Sequence, residues 1–199
     1  MESRSDEQLL ADHLHGQAGA FDRLVARYTQ ELYVFLCRFV ADPNAAEDII
    51  QETFVQVHLA ANTFDPERRF RPWLYTIAAN KARDYLRSRG RRSLFSLDST
   101  GGDEDGSSMA DTISAEQTSL SEQAETEERK AAVRKLIDEM PEHLRLILML
   151  GYFQQLPYAE IAEILRIPVG TVKSRLHAAV QHFAKLWQRH TEVGSRGEP

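Results

Sequence analysis

Residues 157–187 read PYAEIAEILRIPVGTVKSRLHAAVQHFAKLW, and this stretch decides the fold of the C-terminal part of the chain. Apolar residues recur at three- and four-residue steps on both sides of a short break, which predicts two amphipathic helices. Pro157 suits a first helical turn, because its missing N–H would have no partner there. Pro168 and Gly170 interrupt the pattern, and Gly170 or Thr171 can start the second helix. Two short helices joined by about four residues form a helix-turn-helix.

The second of these helices is cationic outside its apolar face and carries no acid as far as residue 190. Its basic side chains are Lys173, Arg175, His177, His182, Lys185 and Arg189. A compact helix pair with such a second helix is a candidate for the major groove of DNA. The alternative is a helical hairpin whose basic face is simply solvated, since many hairpins carry Lys and Arg on the outside.

Composition favours a protein of one or two domains that resides in the cytoplasm. The 199 residues contain no apolar run long enough to cross a bilayer, and MESRSDEQLL does not resemble a signal peptide. Cys37 is the single cysteine, so neither an internal disulfide nor a cysteine-based zinc site is expected. It lies among Phe35, Leu36 and Phe39, and we expect it to pack as a small apolar residue.

The net charge of −6 hides a strong segregation of charge along the chain. Residues 93–128 hold ten acids and no base, and the rest of the chain has a net charge of +4. Residues 65–92 hold nine Lys or Arg against three acids, and residues 166–190 hold five against none. The sequence therefore predicts two basic surfaces joined by an acidic segment.

The N-terminal part is predicted to be helical, with breaks that the sequence marks clearly. Residues 6–40 carry apolar stripes that Gly16 and Gly19 interrupt, and Asp42-Pro43 caps and starts the next helix. That helix directs Glu47, Asp48, Gln51 and Glu52 away from its inward face. Favourable interaction with the helix dipole explains acids near a helix start, and binding of a partner explains them equally well.

A basic, aromatic segment follows. Residues 62–71 form a loop, NTFDPERRFR, and Pro72 is predicted to start a helix that runs into an arginine cluster. Cations interleaved with Trp73, Tyr75 and Tyr85 suit a nucleic-acid surface, where charge neutralises phosphates and aromatic rings meet bases. The alternative is that the rings are core and the arginines are solvated, and we favour core for Trp73 and Tyr85.

The remaining segments complete an all-α architecture of two small helical domains. Residues 93–126 have few large apolar side chains, which predicts a flexible acidic linker. The C-terminal domain is predicted as four helices within 127–187, the N-terminal domain spans 1–92, and 188–199 is predicted to be a disordered tail.

Three segments resemble one protein family when they are taken in order. The segments DIIQETFVQVHLAANTF, FRPWLYTIAANKARDYLRSRGRR and MPEHLRLILMLGYFQQLPYAEIAEILRIPVGTVKSRLHAAVQHF resemble regions 2 and 4 of bacterial sigma-70 factors, and they are most similar to the extracytoplasmic-function (ECF) group. The resemblance implies a non-enzymatic subunit without cofactor or metal that binds core RNA polymerase, through the coiled coil of the largest subunit and the flap region, and directs it to promoter DNA. It also implies regulation by an anti-sigma factor.

The resemblance assigns roles by position. Polymerase binding falls to Asp48, Gln51, Glu52 and Phe54, although Phe54 is on the inward stripe and is interpreted as mainly structural. Contacts to a flipped base and the separated strand of the −10 element fall to Phe64, Arg68, Arg69, Arg71, Asn80, Lys81, Arg83 and Arg87. Contacts to the −35 element fall to Thr171, Lys173, Ser174, Arg175 and His177, with Thr171 and Arg175 on phosphates.

The sequence departs from the family pattern at several positions, which leaves the promoter sequence open. Arg166 stands where a glycine often ends the first helix of the motif, so a left-handed conformation there would be strained. Pro157 stands where Ser or Thr often caps, Ala178 stands where many members carry Arg, and the loop FDPERRF lacks the usual glycine. In the family, the linker threads the active-site cleft and RNA exit channel of the polymerase; here that role and a plain tether are both open.

A helix-turn-helix regulator that binds DNA without polymerase is the competing interpretation, although it leaves the motif DIIQETF and the second basic helix without a purpose. An enzyme finds little support, because the sequence lacks a phosphate-binding G-x-x-x-x-G-K-[ST] loop, an H-E-x-x-H motif and a serine nucleophile elbow. His13 and His15 are too few for a metal site.

Overall fold

The computed structural model describes residues 4–96 and 120–194, and these ranges contain helices and no strand. The all-α prediction is therefore confirmed. The helices are α1 Asp6–Leu14, α2 Ala20–Val40, α3 Pro43–Ala60, α4 Phe70–Ser96, α5 Leu120–Asp138, α6 Glu142–Leu148, α7 Tyr158–Leu165 and α8 Val169–Gly194. A 3₁₀ turn, Ala61–Thr63, follows α3, and a π-helical turn, Met149–Phe153, follows α6.

Side-chain caps fix where the N-terminal helices begin. Ser5 and Gln8 form a capping box at the start of α1. Asp42 accepts a hydrogen bond of 3.1 Å from the Ala45 N–H at the start of α3, with Pro43 at the first helical position. Both predictions for this helix start are confirmed.

The first helical unit is built on α2, α3 and α4, with α1 packed across α2. Its core consists of side chains that share almost complete burial. The largest of them are Leu24, Leu32, Phe35, Leu36, Phe39, Phe70, Leu74 and Tyr75. Apolar side chains recur on one face of each helix, and burial of these faces holds the unit together.

The second unit places the helix-turn-helix on a base formed by α6 and the π-helical turn. Leu146, Ile147, Met149 and Leu150 are fully buried there. Gly151 lets this turn approach α8 closely, because a Cβ at that position would lie 3.1 Å from a terminal carbon of Leu176. Contact with this base on the buried side of α8 therefore fixes the position of the helix.

Several predicted boundaries are corrected. Helix α4 begins at Phe70 rather than at Pro72, because the Glu7 carboxylate accepts a hydrogen bond of 3.0 Å from the Phe70 N–H and caps the helix from a distant part of the chain. Helix α8 starts at Val169 and reaches Gly194, so 188–194 is helical rather than disordered.

The predicted linker, 93–126, is also shorter than expected on both sides. Helix α4 runs to Ser96, and α5 begins at Leu120, because Leu, Glu, Gln and Ala extend the helical pattern backwards from the C-terminal unit. The rest of this segment, 97–119, lies outside the described residues.

The two units contact each other through α4 and α7, and through α2 and the π-helical turn. Arg145 of α6 stacks over the Phe39 ring of α2 at 5.2 Å, and its guanidinium lies 3.4 Å from Asp138. Burial lowers the pKa of Arg145 and raises the pKa of Asp138, so removal from water outweighs the mutual attraction of this pair.

Among the described helices, none has the length and apolar character that crossing a membrane requires.

Candidate nucleic-acid interface

The helix-turn-helix is closed by short-range hydrogen bonds and a buried apolar seam. The Ile167 N–H donates to the Ala162 carbonyl at 3.0 Å, and the Thr171 N–H donates to the Pro168 carbonyl at 2.8 Å. Inside the angle between α7 and α8 lie the buried side chains Ile161, Ala162, Ile164, Val172, Leu176 and Ala179. Because this seam buries one face of α8, the opposite face is exposed to solvent.

The tight turn requires a strained residue at its first position. Arg166 ends α7 in the left-handed conformation, with φ 53° and ψ 48°. The strain that the sequence predicted at Arg166 is confirmed, since a side chain with a Cβ is disfavoured in this region.

The predicted −35 residues share one accessible face of α8. Lys173, Ser174, Arg175 and His177 are exposed, and Thr171 is half-buried near the helix start. The adjacent residue Gln181 was not predicted; its amide nitrogen lies 2.9 Å from Nε2 of His177. The spacing of four residues from His177 was the available signal, since such pairs are neighbours on a helix. Lysine, serine, histidine and amide groups can all hydrogen-bond base edges.

The loop before α4 is a structured turn that presents arginines. The Asp65 carboxylate accepts a hydrogen bond from the Glu67 N–H at 3.1 Å, and the Asp65 carbonyl accepts one from Arg68 at 3.0 Å. Phe64 is half-buried, with its ring centroid 5.0 Å from that of Trp73. The Arg68 side chain lies 3.6 Å from the Asp65 carboxylate but remains 76% exposed, so a phosphate can reach it.

Arg69 and Arg71, at the end of the loop and in the first turn of α4, are paired with carboxylates of other helices. The Arg69 guanidinium donates to Glu160 at 2.7 Å, and Arg71 donates to Glu31. Burial favours the neutral guanidine, but the Glu31 carboxylate outweighs burial and raises the pKa of Arg71. Arg71 is therefore held by the protein, whereas Arg69 lies mostly in solvent.

The aromatic residues near this loop belong to the core. Tyr75 is fully buried and donates to Glu31 at 2.7 Å, so its predicted place on a nucleic-acid surface is wrong. The Phe35 ring packs against it, with the two ring centroids 5.4 Å apart. Trp73 and Tyr85 are half-buried against the same core, which confirms the preferred interpretation of both.

The rest of the predicted −10 residues lie along α4. Asn80 and Arg87 are exposed, and Lys81 and Arg83 are half-buried. Lys81 lies 3.0 Å from Glu52, and Arg83 lies 3.4 Å from Glu142. Together with Phe64, Arg68 and Arg69 of the loop and Arg71 in the first turn of α4, these four residues form what we call the −10 surface.

A separate acidic face lies on α3. Asp48, Gln51 and Glu52 are exposed and line a shallow depression that Lys81 borders. Phe54 is 6% exposed, which favours its structural interpretation, and its assignment as a polymerase contact stays a prediction. The periodicity of α3 places it among the inward residues.

Sequence reasoning missed two exposed apolar residues on the same face. The side chains of Val55 and Leu59 are 58% and 68% exposed, and they continue the line of the acidic residues towards the end of α3. They are four residues apart and outside the inward stripe, which was a usable signal. We call Asp48, Gln51, Glu52, Val55 and Leu59 the α3 patch.

No cluster of three or more His, Cys, Asp or Glu side chains in the described residues is arranged to hold a metal ion. His13 pairs with His58, with Nε2 of the first 3.0 Å from Nδ1 of the second. Burial lowers the pKa of His13, and the neighbouring His58 lowers it further. This pair joins α1 to α3 and is structural.

Cys37 is half-buried among apolar side chains, and burial raises the pKa of its thiol.

A helix-turn-helix unit joined to a second, arginine-rich helical unit is typical of the class of DNA-binding proteins. The family model for Sigma-70 region 2 matches residues 24–92, and the model for Sigma-70 region 4 matches residues 130–183.

Relatives extend the match to most of the chain. The chain is 36% identical over 187 residues to the RNA polymerase sigma-H factor of Pseudomonas aeruginosa, covering 92% of this chain and 94% of the relative. It is 33% identical over 170 residues to the ECF RNA polymerase sigma factor SigW of Bacillus subtilis, covering 85% and 90%. The chain therefore belongs to the sigma-70 family of RNA polymerase sigma factors, in the ECF group.

Solved structures agree at the level of the fold. CnrH, solved in complex with the cytosolic domain of CnrY, has a TM-score of 0.67 at 24% identity and covers 94% of this chain and 99% of its own. The sigma factor RpoE of Bartonella quintana, solved with the anti-sigma factor NepR, has a TM-score of 0.64 at 21% identity, covering 86% and 98%. As a family member, this chain is a transcription initiation factor that directs RNA polymerase to promoters, and it is not an enzyme.

Proposed function

We propose that this sigma factor works through three separate surfaces. The exposed face of α8 reads the −35 element, the −10 surface holds the separated strand, and the α3 patch docks on the coiled coil of the largest polymerase subunit. The observation that supports this division is that the α3 patch and the −10 surface lie on different helices with opposite charge, although they meet at the ion pair between Glu52 and Lys81. One protein can therefore hold polymerase and DNA together.

The roles at the −35 element follow from chemistry and position. Lys173 donates to acceptors on a guanine edge, Ser174 and His177 donate or accept, and Thr171 and Arg175 contact phosphates. Gln181 steadies the His177 ring and so influences which base edge it meets.

The roles at the −10 element follow from exposure. Arg68 and Arg69 have side chains that remain 76% and 73% exposed, so they can neutralise phosphates. Asn80 and Arg87 extend the contact along α4, while Arg71 orders the loop through Glu31. Phe64 lines the site at which a flipped base would enter.

The α3 patch combines exposed apolar side chains with acids. Val55 and Leu59 provide area for burial, and Asp48 and Glu52 provide complementarity to a basic partner. Phe54 supports the patch from inside the helix packing.

Regulation by an anti-sigma factor and action in the cytoplasm complete the proposal. CnrH and RpoE were each solved with a bound regulatory partner, and the fold of this chain matches both. Such a partner would cover the polymerase-binding surfaces. Equal activity of this protein with and without the product of its neighbouring gene would count against that product as the partner.

In vitro transcription with core enzyme over a randomised promoter library tests the whole assignment. Lys173→Ala should lose about 1–3 kcal/mol of −35 affinity, which is about 5- to 150-fold, and relax the preference at one base position. Lys185→Ala is the matched control, because Lys185 is exposed on the same helix three turns further on. An equal loss on every −35 sequence would make Lys173 a phosphate contact.

A pull-down with core enzyme distinguishes a sigma factor from the competing function, a regulator that binds DNA without polymerase. Association that Leu59→Ala and Asp48→Ala weaken supports the sigma-factor mechanism described above. Absence of association, together with tight binding to double-stranded operator DNA, would reject it.

A further inference from the structure

Two hydrogen bonds within α8 involve side chains of its predicted DNA-reading face. The Ser174 hydroxyl donates to the Thr171 carbonyl at 3.1 Å, and the Gln181 amide nitrogen lies 2.9 Å from Nε2 of His177. Ser174 and His177 are both exposed and three residues apart, so they are neighbours on one side of the helix. These bonds therefore decide what each of the two side chains can offer to a base.

The bond made by Ser174 leaves its hydroxyl oxygen as an acceptor. A hydroxyl group has one proton and two lone pairs, and here the proton is donated to a carbonyl of the preceding turn. The lone pairs of the oxygen remain for DNA. Their matching donors in the major groove are the amino groups of adenine and cytosine.

The bond made by Gln181 has the opposite effect on His177. A side-chain amide nitrogen is a donor only, so Nε2 of the ring accepts and the proton of the neutral imidazole is on Nδ1. The ring nitrogen that remains for DNA is thus a donor. It matches the acceptors of guanine, adenine and thymine in the major groove, whereas cytosine presents only an amino group there.

We infer that α8 presents three neighbouring groups of fixed polarity, a donor at Lys173, an acceptor at Ser174 and a donor at His177, and that Gln181 is the positioning residue that makes His177 a donor. The inference rests on the −35 assignment made above and narrows it, because Ser174 then meets an amino group and His177 does not. A base edge of the wrong polarity would break one intramolecular hydrogen bond, which corresponds to about a two- to tenfold loss of affinity.

Helix stability is a simpler explanation of both bonds. Side chains four residues apart stabilise a helix when they pair, and serine hydroxyls commonly bond to a carbonyl of the preceding turn. If that were their whole purpose, substitutions at Gln181 would change the thermal stability of the chain and would leave every base preference unchanged.

The first experiment locates the base pairs that the two side chains meet. RNA polymerase holoenzyme assembled with the full-length chain transcribes from a promoter library randomised at the −35 element. His177→Ala should remove the base preference at one position, and Ser174→Ala should remove it at another. If neither variant changes any preference, the −35 assignment of both residues is wrong and the fixed polarity is rejected with it.

The second experiment removes single amino groups from the major groove. Each base pair presents one such group, on adenine or cytosine, and 2-aminopurine or 2-pyrimidinone in place of these bases lacks it there. Binding of the holoenzyme to a labelled promoter duplex should weaken about two- to tenfold when the group is removed at the Ser174 position, and should not change at the His177 position. Ser174→Ala should abolish the first effect. A loss at the His177 position, or no loss at the Ser174 position, rejects the polarity and leaves the −35 assignment intact.

Substitutions at Gln181 test its role directly. Gln181→Glu replaces a donor by an acceptor, which favours the proton of the neutral ring on Nε2 and leaves Nδ1 as an acceptor. At about pH 8, where a neutral imidazole is favoured, this variant should become sensitive to removal of the amino group at the His177 position.

Gln181→Lys is the matched control, because it keeps a donor at the same place and should retain the base preference of the unmodified chain. Both substitutions add a charge that changes the affinity for all sequences alike, so the measured quantity is the ratio of affinities for the intact and the modified duplex. A ratio that is the same in Gln181→Glu and in Gln181→Lys overturns the role of Gln181.

Discussion

Gly151 offers a sharp test of how the second unit positions its DNA-reading helix. A Cβ at Gly151 would lie 3.1 and 3.2 Å from the two terminal carbons of Leu176, and 3.7 Å from Cδ1 of Ile161. Leu176 is only 8% exposed, so it has little room to move away. Gly151→Ala therefore forces a small displacement between the π-helical turn and α8.

The expected magnitude is the difference between two opposing effects. Overpacking of a filled core costs about 1–3 kcal/mol, and replacing glycine by alanine in a helical segment contributes about 1 kcal/mol in the other direction. We expect Gly151→Ala to reduce the free energy of unfolding by about 1 kcal/mol, within the spread of these two effects.

The assay is urea unfolding at 25 °C, followed by far-ultraviolet circular dichroism, with a second glycine as control. Gly90 lies in the exposed part of α4, and a Cβ there would meet nothing within 4 Å. Gly90→Ala should therefore raise the unfolding free energy by about 0.5–1 kcal/mol. The same substitution should therefore lower the free energy of unfolding at Gly151 and raise it at Gly90.

The displacement should also be visible in DNA binding. Leu176 lies between Arg175 and His177 in α8, so a shift of its backbone moves both predicted contacts. Gly151→Ala should weaken −35 binding, and Leu176→Val in the same background should restore much of it by making room. If Gly151→Ala stabilises the protein as much as Gly90→Ala does, the argument about the close contact is wrong.

Two further predictions concern the first unit. Hydrogen bonds from the Ala45 N–H and the Tyr85 hydroxyl lower the pKa of Asp42, so the stability it contributes is present above the ordinary aspartate pKa of about 3.9 and is lost as pH falls through the lowered pKa. Asp42→Asn keeps the cap without the charge, and thermal unfolding should then depend less on pH below about 4; an unchanged dependence would contradict this. Leu59 is 68% exposed, and burial of about two thirds of a leucine on binding corresponds to about 1–2 kcal/mol. Leu59→Ala should bind core polymerase about 5- to 30-fold more weakly with unchanged stability, whereas Val57→Ala, at a buried position of the same helix, should lose stability instead; equal binding by Leu59→Ala would remove Leu59 from the interface.

Local features of this fold could be predicted because neighbouring residues decide them. Asp42-Pro43 supplies a cap and a fixed φ at one helix start, whatever surrounds it. The spacing around Pro168 predicts two helices joined by a short turn, and Arg166 adopts a left-handed conformation at that turn. The −35 residues Lys173 and His177 could be placed on an outer face because the inward positions of α8 repeat with the helical period.

Features that depend on distant parts of the chain could not be predicted. Tyr75 lies in a basic, aromatic segment typical of a nucleic-acid surface, yet Glu31 of α2 and Gln154, in the bend after the π-helical turn, both hydrogen-bond its hydroxyl. Helix α4 starts two residues early because Glu7, 63 residues away, caps it. Short-range patterns carry no information on such partners.

The sequence by itself determined the helical class, the helix-turn-helix, the two basic surfaces and the resemblance that places the chain among ECF sigma factors. These rest on periodicity, turn residues and charge, which act over a few residues. Only the tertiary structure decided which distant carboxylates pair with Arg69, Arg71 and Arg83. The pairing of Arg69 with Glu160 joins residues 91 positions apart. Such a pair is set by how two separately folded units pack, and that depends on the shape and charge of whole surfaces.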